Sequence, residues 1–553
     1  MAHQFKPVNR DQPMMLPENM RDWVDKDHLV WFVIGVFERL DITALESLAV
    51  PGKGRPGYDP RMLAVLLVYS YLQGERSSRR IEQRCRTDAA FRVATGNQVP
   101  DHSTIARFRA AAALSGALED LFFRVLFMLA AAGLGRLDVV GVDGSKIWAD
   151  ASKGKNRTEE GLRKLAREIL EEAARADGED CGCEGHRHGG RAGLAGPGSC
   201  GCCDGGMLPG LGPDGPAVPR TGWGSAPRAQ RIAAGLADLE QARLAAEARD
   251  RGHAQQVLDA ARAAGRPPAG PVPRAIEVEM AELRLERALA ADRDAEERRR
   301  AAGLKGGRRR AGTDSQKTRR ARGLLDAARA SRADRERKDR ERKDRERKDG
   351  KTEQTRPVRN ITDPDSRVMH CTLRGAVQAY NALTPRAAGG LFLRAVVTQD
   401  ANDKQLAAPA FETIAASAGV IAAGHAAGGR PSFWSRAGTV LFDNGFFSRA
   451  NIELPGPGRL IATGAWKDPG PHHPDCAHAD PRDQMHHNLA TRQGRDLYRS
   501  RAPVSEGGFA DLKERTGLRR FCMRGIVKAQ GELDLATLAA NIGLGFRRRI
   551  TPA

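Results

Sequence analysis

Two periodicities divide this chain. After the turn-rich Gly54-Arg55-Pro56-Gly57-Tyr58-Asp59-Pro60, residues Met62, Leu63, Val65, Leu66, Val68, Tyr69 and Leu72 make a strongly apolar helical stretch. The segments starting at Ser77 and Pro100 each open with a capping residue before further helical sequence, so 1–135 reads as all-helical. The pattern then changes. Leu137 to Lys146 is a short β-branched run that ends on an acid, Asp143, with Gly144-Ser145 directly after it. That predicts a buried strand delivering one carboxylate to a sheet end. A second such strand, Gly438 to Gly445, ends on Asp443. Further strands are expected at Ser366 to Met369, Ala376 to Tyr380, Leu391 to Val397 and Arg459 to Ala462, with a helix from Lys404 to Ala423. Tyr498 to Thr516, in part, and Leu533 to Leu544 return to helical spacing.

Residues 155–355 interrupt this order. Thr158 to Ala176, Ala229 to Ala264 and Glu277 to Arg300 are helix-like and rich in Ala, Leu, Glu and Arg, which predicts a long helical insertion. Asp334-Arg335-Glu336-Arg337-Lys338 is repeated three times, ending at Lys348; period five fits neither heptad nor strand and reads as a charged linker or solvated helix. The expected organisation is a helical DNA-binding domain over 1–135, the first core strand over 136–154, a basic insertion over 155–355, and the rest of an α/β core with C-terminal helices over 356–553.

Charge narrows the class of partner. The 553 residues carry a formal net charge of +20, eleven Lys/Arg against one acid falling between Arg298 and Arg322. Such a balance points to a polyanion, nucleic acid before membrane. The most apolar helical run, Leu121 to Leu134, contains Arg124 and is too short to span a bilayer; with no apolar stretch after Met1, a cytoplasmic, nucleoid-associated protein is expected. Nine cysteines, an odd number, argue for reduced thiols or a metal site. Cys181, Cys183, His186, His188, Cys200 and Cys202 are close enough in sequence for a structural Zn²⁺, or form a Cys/His-rich tip without metal. Cys476 with three nearby histidines is a weaker case. Trp148 and Trp466 could stack on an extruded base, although core packing explains each as well.

An Asp at a strand end is by itself an ordinary turn former or cap. Its weight comes from company: Asp143 and Asp443 on two strands and Glu506 in a helical stretch are what a two-metal phosphoryl-transfer site needs, because hard divalent cations prefer oxygen ligands. The basic helix around Arg107 and Arg109 fits a helix-turn-helix-like module, or equally a bundle with solvated arginines.

These landmarks together resemble the DDE transposases of bacterial insertion sequences. The resemblance is carried by Gly54-Arg55-Pro56 and Pro100 to Arg109, by Val142-Asp143-Gly144-Ser145-Lys146, by Asn360 to Arg367 with Tyr380-Asn381-Ala382, by Asp443 to Ser448, and by Tyr498-x2-Arg501-x4-Glu506-x6-Lys513, similar to the Tyr-Arg-Glu-Lys signature. It implies an RNase H-like mixed-sheet core, catalysis by Asp143, Asp443 and Glu506 holding two Mg²⁺ or Mn²⁺ ions, and DNA contacts by Arg107, Arg109, Tyr498, Arg501 and Lys513. It also implies DNA ends and target as partners, with a homodimer or higher assembly on DNA and no membrane. The signature departs from the commoner pattern in having four residues, not three, between Arg501 and Glu506, which leaves Asp511 and Glu514 as rival third acids. Two alternatives stand beside this reading: a catalytically inactive DNA-binding descendant, and a zinc-dependent structural DNA binder centred on 181–203. A tyrosine-type recombinase using Tyr498 would want a close His, and the nearest are His486 and His487.

Overall fold

The computed structural model describes residues 19–48, 57–180, 228–265, 272–302, 314–349, 357–371, 375–464 and 480–550. The Cys/His cluster at 181–203, Trp466, Cys476 and Gly54-Arg55-Pro56 lie outside them. The fold is mixed α/β, and the chain divides into two compact units, Met1–Gly235 with Arg359–Ala553, and Leu236–Val358.

In the first unit, helices α1 (Leu29–Arg39), α2 (Thr43–Glu46), α3 (Pro60–Leu72), α4 (Ser78–Thr87), α5 (Ala89–Ala94), α6 (His102–Leu114) and α7 (Ala117–Ala131) come first. Their boundaries follow from capping chemistry. Asp59, with Pro60 behind it, accepts from the Arg61 amide, and Asp88 and Asp101 cap α5 and α6 in the same way. His102 ties α6 to α4: its amide and Nδ1 both meet a Glu82 carboxylate oxygen, at 3.0 and 2.9 Å.

The sheet follows: β1 (Val139–Trp148), then, after β2 (Asn156–Thr158) and α8 (Glu159–Asp180), β4 (Arg367–Cys371), β5 (Gly375–Ala387), β6 (Val396–Thr398), β7 (Thr439–Phe442) and β8 (Gly458–Ile461). Its order is β4-β5-β1-β7-β8, with β6 on the same edge of β5 as β4, while β2 pairs separately with β3 (Val358–Asn360). β1 runs antiparallel to β5 and parallel to β7, and β8 continues the parallel side.

Three strand expectations need correction. β1 does not end at Asp143 but continues to Trp148, paired with β5 as far as Ala379, so the first acid sits mid-strand. β5 runs seven residues past Tyr380, through Asn381 and Pro385, which disfavour a strand in sequence, because both lie in register with β1, opposite Lys146 and Val142. Leu391 to Leu393 is no strand; it is a buried segment touching Arg386 through one bridge at Phe392, and the strand begins only at Val396.

Helix α12 (Ala407–Ala427) is apolar and long enough by composition to cross a membrane. It is packed at backbone distance on α7, however: a methyl at Gly424 would lie 2.5 Å from the Phe127 carbonyl oxygen. That contact makes it a core helix. After α13 (Arg449–Glu453), α14 (Pro481–Ala490) and α15 (Arg492–Arg499), the backbone forms a π-helical turn at Ala502–Glu506, the short α16 (Gly507–Ala510) and a second π turn at Asp511–Arg515. The last helix, α17 (Ile526–Arg547), is buried over most of its length against α3, α6 and α7. The N-terminal helices therefore share one apolar core with the sheet.

The second unit consists of most of α9 (Arg228–Ala263) with α10 (Glu277–Ala301) and α11 (Gln316–Asp349). The last two are antiparallel, joined over Ala281, Leu325 and Ala328 and laced by Arg329–Glu282 at 2.9 Å and Arg335–Glu277 at 2.7 Å. The five-residue repeat lies in α11 as helix, where Lys338 reaches back one turn to Asp334.

Candidate active site

Parallel pairing brings the first two acids together. Gly141 of β1 is in register with Leu441 of β7, and two residues further along each strand are Asp143 and Asp443. Adjacent strands lie about 4.8 Å apart, so equal steps from a paired position leave the two acids neighbours, Asp443 one residue past the end of β7. Asp443 keeps an extended backbone and caps the turn after β7, accepting from the Gly445 amide at 3.0 Å. Both acids are shifted by their surroundings. Burial and the Asp443 carboxylate push Asp143 up to about 6, while Arg501 pulls it down. Asp443 is raised by burial and by Asp403, again opposed by Arg501.

The C-terminal helical segment packs on Asp143's face of β1. Asp143 and Gly141 sit opposite Thr384 and Arg386 of β5. A methyl on Gly141 would lie 2.4 Å from Ser505 Oγ, and one on Gly507 would lie 2.9 Å from an Arg386 guanidinium nitrogen. The two backbone neighbours of Glu506 thus rest on the strand pair beside Asp143. The π turn at 502–506 accommodates one residue more than an α turn, which answers the extra residue between Arg501 and Glu506.

The rivals for the third acid are committed elsewhere. Asp511 pairs with Arg386 at 2.7 Å and with Arg515 at 3.1 Å, and the exposed Glu514 pairs with Arg519. Lys513 donates to Ser145 Oγ at 2.6 Å, on Asp143's side of β1; burial lowers its pKa and Asp143 opposes that.

Two of the expected DNA contacts have other positions. Tyr498 is buried, and its hydroxyl donates at 3.0 Å to the carbonyl of Phe442, the residue before Asp443. It braces the second acid strand and presents no nucleophile. Arg109 is also buried, donating to the Arg76 carbonyl at 2.8 Å, because the helical repeat turns it inward while Arg107 stays exposed.

Sequence reasoning missed Asp403. It follows the cap residue Asn402 on a single 3-10 turn, Asp403–Gln405, and in sequence reads as one more turn former between a strand and a helix. Its carboxylate pairs with Lys146 at 3.3 Å and accepts from Asn381 Nδ2 at 2.7 Å.

Comparison with known families agrees with this picture from both ends of the chain. Residues 18–111 match a transposase domain (DUF772), and residues 473–543 match a transposase DDE domain. The two matches are consistent with a DDE transposase of insertion-sequence type. The second covers Tyr498, Arg501, Glu506 and Lys513; Asp143 and Asp443 fall outside both. No curated protein and no solved structure gives a significant match.

Proposed function

We propose that this chain is the DNA transposase of an insertion sequence, which binds element ends, cleaves a DNA strand and transfers it to a target, on an RNase H-like core. The observation that carries the proposal is that parallel pairing of β1 and β7 brings Asp143 close enough to Asp443 for the two carboxylates to interact. The strand order, with one side antiparallel and the other parallel to β1, supports the fold assignment.

The donor set suits hard divalent cations such as Mg²⁺ or Mn²⁺. Burial and Asp443 raise the Asp143 pKa, burial and Asp403 raise that of Asp443, and among the described residues the buried hydroxyls of Thr384 and Ser505 on Asp143's face have no hydrogen-bond partner. Asp143, Asp443 and Glu506 are the residues that would hold the ions. When bound, such a pair supplies charge stabilisation to the attacking and leaving oxygens of an in-line displacement.

The chain's own residues do the rest. Asp143, ionised above about pH 6, offers its oxygens from the middle of β1. Arg501 balances the two acids and offers a bidentate donor to a scissile phosphate. Lys513, held by Ser145, adds a second cation on that face. In the first step a water oxygen bonds to phosphorus and the P–O3′ bond breaks, leaving a 3′-hydroxyl and a 5′-phosphate. In the second the 3′-hydroxyl attacks a target phosphodiester and displaces its 3′-oxygen, with no protein nucleophile. DNA is the partner, Arg107 on the exposed side of α6 belongs to its footprint, and 1–135 contributes to end recognition within a dimeric or larger complex.

The test is cleavage of DNA carrying an element end with Mg²⁺, comparing wild type and Asp143→Ala. Loss of cleavage in the variant is expected; equal cleavage by both defeats the proposal.

A further inference from the structure

We infer that Asp403 is a further oxygen ligand of the divalent-cation site and that Asn381 positions it; this rests on the reading of Asp143 and Asp443 as cation ligands. Asp403 comes from the turn between β6 and α12 and lies on the Gly144 and Lys146 side of β1, the face opposite Asp143, where it meets the site at Asp443. Its two oxygens have different neighbours. Oδ1 accepts from Asn381 Nδ2 at 2.7 Å and pairs with Lys146 Nζ at 3.3 Å. Oδ2 faces Asp443 across Gly445: a methyl at 445 would lie 3.1 Å from Asp443 Oδ1 and 3.3 Å from Asp403 Oδ2. Two carboxylate oxygens from separate segments thus flank one small space, which only glycine leaves open.

The other side of Asp403 is cleared in the same way. A methyl at Gly144 would stand 2.8 Å from Asp403 Oδ1, closer than such atoms approach, and 3.5 Å from Asn381 Oδ1. Glycine follows the first acid directly and follows the second at one remove, and both glycines border Asp403. Asn381 supplies an independent sign that this is a site. It is fully buried, and its Oδ1 has no hydrogen-bond partner, while its Nδ2 holds Asp403. A buried amide oxygen without a donor costs about 1–3 kcal/mol, and it faces the gap beside Gly144. An ordinary structural ion pair at Oδ1 would explain the clearance at Gly144, but neither the one at Gly445 nor the orphan oxygen. A cation held by Asp443 and Asp403 together accounts for both, with Lys146 balancing the charge in its absence.

The test is Mn²⁺ binding to the full-length protein without DNA, followed by the electron paramagnetic resonance of free Mn²⁺, in wild type, Asp443→Asn, Asp403→Asn and Asn381→Ala. Asp403→Asn keeps an oxygen for Asn381 to donate to, so the fold is preserved, which circular dichroism checks. Losing a ligand should weaken Mn²⁺ at least about tenfold, and losing its positioning residue should weaken it severalfold. Weakening in Asp403→Asn and Asp443→Asn, with a smaller effect in Asn381→Ala, supports the inference. If Asp443→Asn weakens binding while Asp403→Asn stays within about twofold of wild type, the inference is overturned and the two-acid reading stands. No weakening in Asp443→Asn overturns the cation site itself. Should Asp403→Asn fail to fold, Asn381→Ala decides, since it leaves every carboxylate in place: wild-type affinity overturns the inference.

Discussion

The hydroxyl of Tyr498 donates a hydrogen bond to the carbonyl of Phe442, 56 residues earlier and immediately before Asp443. A helix after the last sheet strand is thereby fastened to the strand that carries the second acid. The same carbonyl also accepts from the Ala462 amide, so it keeps a partner when the tyrosine hydroxyl is removed. Tyr498→Phe should therefore cost only about 0.5–1.5 kcal/mol of stability, read as a small fall in melting temperature. Its DNA affinity should stay within about twofold of wild type. A large loss of affinity with unchanged stability would return Tyr498 to the DNA surface.

Arg107 and Arg109, two residues apart on α6, should behave oppositely. Arg107 is exposed, so Arg107→Ala should leave stability unchanged, weaken DNA binding across sequences, and reduce the slope of log affinity against log salt by about 1. Arg109 is buried, and Arg109→Ala should destabilise by roughly 2–4 kcal/mol through lost packing and hydrogen bonding. Thermal melts beside salt-dependent binding curves separate the two.

Asp143 makes stability depend on pH. Its pKa is raised from 3.8 to about 6, chiefly by burial and then by Asp443, so the fold favours the protonated form. The stability this preference gives is full below about pH 3.8 and is lost as pH rises through about 6. Asp143→Asn mimics the protonated carboxyl. In metal-free buffer near pH 7.5 it should raise the melting temperature by several degrees, for a relief on the order of 1–3 kcal/mol. The gain should vanish near pH 4 and shrink when Mg²⁺ is added. A variant no more stable than wild type at the higher pH would show that the carboxylate bears no such burden.

Gly141 is where the C-terminal helical segment meets β1. Gly141→Ala would place a methyl 2.4 Å from Ser505 Oγ and 2.9 Å from a Val504 methyl carbon. Overpacking of this kind costs roughly 1–3 kcal/mol. Because the contact adjoins Glu506, cleavage should fall more than stability does. Amide exchange should rise over 502–506 and stay unchanged in α3, and uniform exchange changes would count against a local effect.

The ends of the first unit's two segments adjoin. A methyl on Gly235 would lie 3.6 Å from Arg359 Cβ. Replacing 236–358 by a short Gly/Ser linker should therefore leave the remaining chain folded, with melting cooperativity retained. Expression only as aggregate would show that the first unit depends on the second.

Much of the site was legible because its signals are local. A β-branched run leading to an acid marks a strand at both Asp143 and Asp443, but only β7 stops there; β1 runs five residues past Asp143, to Trp148, because β5 pairs with it throughout. The spacing from Tyr498 to Lys513 marked a helical segment, although its additional residue found its meaning only in a π turn, which no periodicity of 3.6 announces. Arg109 and Tyr498 show the limit of that reading. A basic or phenolic side chain in a basic neighbourhood looks like a nucleic-acid contact until neighbours arrive to bury it.

By itself, then, the sequence determined the helical N-terminal stretch, the two acid-bearing strands and the polyanionic partner, since each depends on residues near in the chain or on net charge. Only the tertiary structure decided which strands pair and in what register, and that pairing brings Asp143 near Asp443 and sets it opposite Thr384. Asp403 belongs to the second class as well. A turn acid gains chemistry only when β5 and β1 bring Asn381, Lys146 and Gly144 against it, and such encounters depend on packing across 257 positions of chain.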